Sequence, residues 1–472
     1  MSLTAQIARN TTYQIGGKVS GVILGLLTIG LITRYLGQAG FGYYTTAIAF
    51  LQFFGVLVDF GLQMTAAQML SKPGADERKI FNNIFSLRLF SAVAFLGLAC
   101  LLVWLTPYPL LIKQAVLIGS FSFLFISLQT VLIGLFQKKM NMADTAKAEI
   151  ISRLTLLVGV ALAVFSNWGL LAIVAMVSCG SFSACLYLYF KSKKYFSLRL
   201  AFDWPIWREI WQVSWPLAIT ISLSLVYFRA DTIVLSLFRS PAEVGLYGAA
   251  YKVLEVLAQL PYLFLGLMLP LFTQFLASNR KIFTALFQKS FDFLMILILP
   301  MIFAIWLLGE KIMIFVAGPE FGLSGQLLKI LILAVALIYL GALMGYGIVA
   351  AGLQKKMIKF YLLDAVVSLI LYLIFIPVYG YFAAAILTVM TELFITLSAY
   401  YIMKRYIGIT ISWQRAGKAL MAALAMSAVL LLLINQNLLT LVIVGVLIYF
   451  TALYLLRGIS KQTALEMIKY RN

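Results

Sequence analysis

Lys18, Arg229 and Lys252 stand inside long apolar runs of the chain. A charge at that depth costs about 2.5–3.5 kcal/mol to insert. A basic residue kept at that cost faces a cavity, a partner or the interior of a bundle. Its natural chemistry there is charge-assisted hydrogen bonding to an anion, a phosphate above all. Tyr251 and Gln259 share a polar face with Tyr247, Glu255 and Tyr262 and would add neutral donors to a substrate site. Gln14 and Lys18 share a second face. Thr220, Ser224, Tyr227 and Asp231 share a third. Such stripes fit helices with one wet face, or interhelical hydrogen bonds that only fix packing.

Asp59, Asp231, Glu255, Asp292, Asp364 and Glu392 are the acidic counterparts. A carboxylate in an apolar setting can exchange a proton or hold Na⁺. Asp59, Glu255 and Asp231 are the candidates for ion coupling, and Gln52, Asp59 and Gln63 follow i, i+7, i+11 spacing. Arg88, Arg153 and Lys329 sit nearer the ends of their runs, where long stems snorkel to the interface. The chain has no His, no Walker-type loop and no paired Cys; Cys100, Cys179 and Cys185 all fall inside apolar runs. Metal, cofactor and nucleotide sites are therefore not expected, nor is a disulfide framework. An enzyme lacks a nucleophile–base constellation.

These residues need elements to carry them. Composition is 63% hydrophobic and only 11% charged over 472 residues. Apolar runs of membrane-spanning length recur without the period-2 alternation of barrel strands. The fold class is therefore all-α, a polytopic membrane protein. Fourteen spans are predicted, near 11–33, 43–70, 82–105, 112–136, 147–166, 168–190, 213–238, 244–272, 283–308, 325–352, 358–377, 381–403, 416–434 and 438–456. Pro261 and Pro270 should break the backbone ladder of the eighth. Asp203 followed by Trp204, Trp207 and Trp211 predicts a short helix on the membrane interface. Gly17, Gly21 and Gly25 form a small-xxx-small ladder for close helix packing, and Gly341 and Gly345 read the same way.

Basic residues set the orientation. One set of loops holds 26 of the 36 Lys and Arg; the opposite set holds Arg34, Lys113, Arg239 and Lys311. Both termini are expected in the cytoplasm. No cleavable signal peptide is evident. The net charge of +20 is this bias scattered through short loops, so nucleic acid is not an expected partner.

The chain also repeats itself. Gly134-Leu135-Phe136-Gln137-Lys138-Lys139-Met140 returns as Ala351-Gly352-Leu353-Gln354-Lys355-Lys356-Met357. The segment opening at Gly169 returns at Gly380, and Phe41-Gly42-Tyr43-Tyr44 returns as Val244-Gly245-Leu246-Tyr247. The unit is six spans, so two lobes related by an axis along the membrane normal should surround a central cavity. The N-lobe is 1–190, a cytoplasmic linker 191–212, the C-lobe 213–403, and 404–472 adds two helices and a tail.

Thr33-Arg34-Tyr35-Leu36-Gly37-Gln38-Ala39-Gly40-Phe41-Gly42-Tyr43-Tyr44 resembles the R-x-L-G-x-x-G-F-G-x-Y stretch of Wzx-type polysaccharide flippases, of the multidrug/oligosaccharidyl-lipid/polysaccharide exporter superfamily. Asp59-Phe60-Gly61-Leu62 is similar to that family's pattern too. The resemblance implies an alternating-access flippase. Its substrate would be a polyprenyl-diphosphate-linked oligosaccharide, such as an O-antigen or exopolysaccharide repeat unit, carried from the inner to the outer leaflet of the cytoplasmic membrane. It implies membrane lipids, a polysaccharide polymerase and chain-length proteins as partners, with H⁺ or Na⁺ coupling. Many relatives carry a basic residue after the Gly-Leu. Here Gln63, Gln68 and then Lys72 follow. An ion-coupled drug antiporter of the same superfamily is the alternative, and a membrane polymerase or ligase a remote one.

Overall fold

The computed structural model describes residues 3–59, 62, 69, 76–139, 141–195 and 199–458, with side chains in helices omitted at 3–12, 14, 15, 213 and 216–228. Gly61, Gln63, Gln68 and Lys72, most of the 457–472 tail, and the side chains of Gln14, Thr220, Ser224 and Tyr227 lie outside the described residues. Every regular element among the described residues is helical. The long helices are α1 (Leu3–Asp59), α2 (Glu77–Leu102), α3 (Leu110–Lys138), α4 (Met142–Phe165), α5 (Gly169–Ser192) and α6 (Trp204–Phe238). They continue as α7 (Pro241–Ser278), α8 (Arg280–Ala317), α9 (Ser324–Ala350), α10 (Gln354–Ile402), α11 (Gln414–Leu432) and α12 (Leu438–Leu455). Among the described residues, eleven helices are long and apolar enough to cross a membrane.

Two helices hold more than one expected span. Gly37 (φ 63°) breaks α1 and Gly380 (φ 61°) breaks α10, each in the left-handed region that a side chain disfavours. The expected spans 1 and 2 are thus limbs of α1, and spans 11 and 12 limbs of α10. The interfacial helix at Trp204 is not separate. Asp203 caps it by accepting from the Ile206 N–H, and the helix then runs unbroken to Phe238 as α6. Asp76, Asn279 and Asn437 cap α2, α8 and α12 in the same way.

The prolines of α7 do not end it. A proline at position i leaves the carbonyl at i−4 without its helical donor. Pro261 orphans the Leu257 carbonyl, which accepts from the Tyr339 hydroxyl at 3.3 Å. Pro300 in α8 orphans Ile296, whose carbonyl accepts from the Tyr449 hydroxyl at 2.7 Å. Both tyrosines are buried. Neighbouring helices thus satisfy the freed acceptors where no water can.

The chain divides into two compact units, residues 1–248 with 369–384, and residues 249–368 with 385–472. In the first, α1 packs on α4 through the predicted glycine ladder. A Cβ on Gly17 would sit 2.9 Å from that of Ala146, and one on Gly21 would sit 3.1 Å from Glu149. Glu149 pairs with Arg153 at 3.2 Å, so the glycines make room for an ion pair. In the second unit, α9 lies on α8, and α11 and α12 pack on α8. Gly341 faces Thr396 closely, but Gly345 opens on space and makes no such contact.

The repeat has a physical counterpart inside the first unit. A Cβ on Gly42 would run into the carbonyl oxygen of Pro241, and one on Gly245 into that of Gln38. Residues 38 and 241, like 42 and 245, are repeat equivalents. The contact is therefore reciprocal, as in a two-fold interface. Gly169 and Gly380, another matched pair, both have positive φ.

Candidate functional site

Arg88 defines the site, through a placement the sequence reading did not foresee. It does not snorkel. Only 3% of the residue is exposed. Its Nη1 donates to the carbonyls of Val58 (3.3 Å) and Asp59 (2.9 Å), and its Nε to that of Ser127 (3.3 Å). The first two belong to the last described turn of α1. The Asp59 carboxylate is 2.5 Å from Nη1. That contact is one of charge, because Asp59 Oδ1 accepts no aligned hydrogen bond. A polar run of Asn82, Asn83 and Ser86 just ahead of Arg88 was the available signal that this helix start is buried. These three side chains accept from the backbone N–H groups of Arg199, Asp203 and Ala201 respectively, stapling the interlobe linker to α2.

Arg88 opens on a cavity of about 280 Å³ within the first unit. Gln52, Gly55 and Val56 of α1, Phe123, Ile126, Ser127 and Thr130 of α3, and Arg229 of α6 complete its lining. Gly55 gives Phe123 its place, since a Cβ there would meet the ring at 2.8 Å. The Ser127 hydroxyl is buried and has no hydrogen-bond partner among the described residues. No carboxylate lines this cavity among the described residues. Two guanidinium groups, an amide and two hydroxyls can bind an anion by charge-assisted hydrogen bonds.

The other predicted site residues lie elsewhere. Asp231 is fully buried; it accepts from Tyr247 Oη and the Thr232 N–H, both at 2.5 Å, and from Thr232 Oγ1 at 3.1 Å. Lys18 is exposed on α1 and does not line the cavity. Lys252 and Glu255, assigned to different tasks by the sequence, form one ion pair at 2.8 Å on α7. Tyr251 is buried and Gln259 exposed on the same helix. Each of the three expected coupling carboxylates therefore has a partner.

Two other carboxylates differ. Asp364 and Glu392, on the two limbs of α10, are 4% and 6% exposed. No lysine or arginine pairs with them among the described residues, and Asp364 Oδ2 is buried without a partner. Tyr262 and Tyr361 are phenols near Glu392.

The second unit also holds an apolar groove of about 220 Å³ between α8, α11 and α12, with Pro300, Met426, Gly445 and Tyr449 on its walls.

The fold is similar to that of the lipid II flippase MurJ in its inward closed conformation, with a TM-score of 0.76 at 18% identity over 93% of this chain and 97% of that one. An Escherichia coli K12 protein named as an O-antigen transporter is 30% identical over 155 residues, which span 32% of this chain and only 37% of that protein. A Haloferax volcanii protein named as the low-salt glycan biosynthesis flippase Agl15 is 21% identical over 98% of both chains. The model of the family described as "Polysaccharide biosynthesis protein" matches residues 7–276. That match covers more than half of the chain, which belongs to this family of multi-pass membrane proteins.

Proposed function

We propose that this chain is an alternating-access flippase that carries a polyprenyl-diphosphate-linked oligosaccharide from the inner to the outer leaflet of a cytoplasmic membrane. The observation that carries the reading is a cavity whose described lining holds Arg88, Arg229 and the Ser127 hydroxyl, unpartnered among the described residues, and no carboxylate. A diphosphate leaving water must replace its hydration with charge-assisted hydrogen bonds, or desolvation forbids entry. A cationic drug needs the opposite lining. The relatives named as an O-antigen transporter and a glycan flippase support an O-antigen, exopolysaccharide or similar unit as cargo.

The apolar groove between α8, α11 and α12 suits the prenyl chain, which stays among membrane lipids while the head group crosses. The bias of basic residues supports cytoplasmic termini, with 191–212 inside and 309–324 outside. A polymerase and chain-length proteins would receive the product. Coupling to H⁺ or Na⁺ falls to Asp364 and Glu392, because Asp59, Glu255 and Asp231 are engaged. Lys18, Tyr251, Lys252 and Gln259 are left as secondary contacts.

Reconstitution into vesicles tests the reading. Lipid-linked oligosaccharide on one leaflet should become accessible on the other only with the protein present. Efflux of a cationic dye without movement of the lipid would replace the flippase with the drug antiporter.

A further inference from the structure

We propose that Asp59 is the internal counter-anion of the α1–α2–α3–α6 cavity: it neutralises Arg88 in the empty protein, and an entering anionic head group takes that guanidinium from it. The inference rests on the anion reading above and assigns a binding-strength role to a residue outside the cavity wall.

Three observations carry it. First, Arg88 does not need Asp59 for its position. The carbonyls of Val58, Asp59 and Ser127 already hold Nε and Nη1. Second, the Asp59 contact is close, at 2.5 Å, yet poorly aligned. It supplies charge compensation without directional hydrogen bonding, so an anion with better geometry can displace it. Third, among the described residues Nη2 makes no hydrogen bond and the buried Ser127 hydroxyl has no partner, and both residues line the cavity. Donors are thus left over on two lining residues, while Asp59 is not among the described lining residues.

The consequence is a competition. With Asp59 seated against it, Arg88 contributes little net charge to the cavity. When the head group binds, the guanidinium changes partner without moving far, and Asp59, whose side chain is 23% exposed, is released. Binding of the anion and seating of Asp59 are therefore antagonistic. A coupling of this kind is worth about 5- to 150-fold in affinity.

Titration of the purified full-length protein in nanodiscs with farnesyl diphosphate tests this. Asp59→Asn should bind about 5- to 150-fold more tightly than the natural protein. Asp59→Glu should bind as the natural protein does. Arg88→Met placed on Asp59→Asn should remove the gain. A merely structural role could only weaken binding. Asp59→Ser serves the same comparison if the asparagine variant does not fold, as judged by its thermal midpoint without ligand. Equal or weaker binding by a folded Asp59→Asn or Asp59→Ser protein overturns the proposal. If Arg229→Ala weakens binding while Asp59→Asn gains nothing, only this proposal falls. If Arg229→Ala binds like the natural protein, the anion reading falls with it.

Discussion

The Tyr449 hydroxyl donates at 2.7 Å to the Ile296 carbonyl, the acceptor that Pro300 leaves without its helical donor. A residue of the last described helix thus repairs a defect in α8 and ties α12 to it. Tyr449→Phe should destabilise the protein by about 1–3 kcal/mol, the cost of a buried acceptor left unsatisfied. Pro300→Ala restores the missing N–H and should make the Tyr449→Phe change nearly silent. Thermal unfolding of the two single variants and the double variant in detergent checks this coupling.

Gly42 and Gly245 should tolerate no side chain. In either place a Cβ meets backbone, which cannot rotate away. Gly42→Ala and Gly245→Ala are each expected to lose about 1–3 kcal/mol, the usual cost of overpacking. Gly345→Ala, with open space around it, should unfold at the same temperature as the parent.

Much of this was legible in the sequence, and the reasons are specific. Gly17, Gly21 and Gly25 have helical spacing, and a ladder of that kind has few meanings in a membrane helix. The matched pairs Gly42/Gly245 and Gly169/Gly380 marked backbone demands that survive in both halves. Gln52, which shares helical spacing with Asp59 and Gln63, lines the cavity. Arg88 was not legible, because depth counted from a span end says nothing about which carbonyls a neighbouring helix presents. The Lys252–Glu255 pair was missed for a simpler reason. An i, i+3 pair can bond to itself, and each residue had been considered against a ligand only.

The Lys252–Glu255 pair gives its own test. Lys252→Met removes the ammonium 2.8 Å from the Glu255 carboxylate and should lower both stability and expression. Lys252→Met with Glu255→Gln should recover most of both. Recovery of transport in the double variant, measured as surface polysaccharide, would assign the pair to structure. Loss of transport in a stable double variant would return Lys252 to the substrate.

Asp203 provides a pH response outside the spans. Its hydrogen bond with the Lys79 ammonium, 2.6 Å away, holds its carboxyl below the usual carboxylate range. A depressed carboxylate stabilises the folded state above its unfolded pKa and ceases to do so as pH falls through the folded value. The linker staple on α2 should therefore loosen only in acid. Faster proteolysis between residues 195 and 203 at low pH, and already at neutral pH in Asp203→Asn, is the expected pattern.

The most direct test of the anion-carrying cavity is leaflet accessibility of a lipid-linked oligosaccharide in vesicles holding Arg229 variants. Arg229→Ala should slow transfer about 10- to 100-fold, the loss of a charge-assisted hydrogen bond, while the protein still inserts and folds. Arg229→Lys should keep part of the rate, because it retains charge and loses the planar fork. Transfer at the parental rate by a folded Arg229→Ala, Arg88→Met double variant would contradict the account.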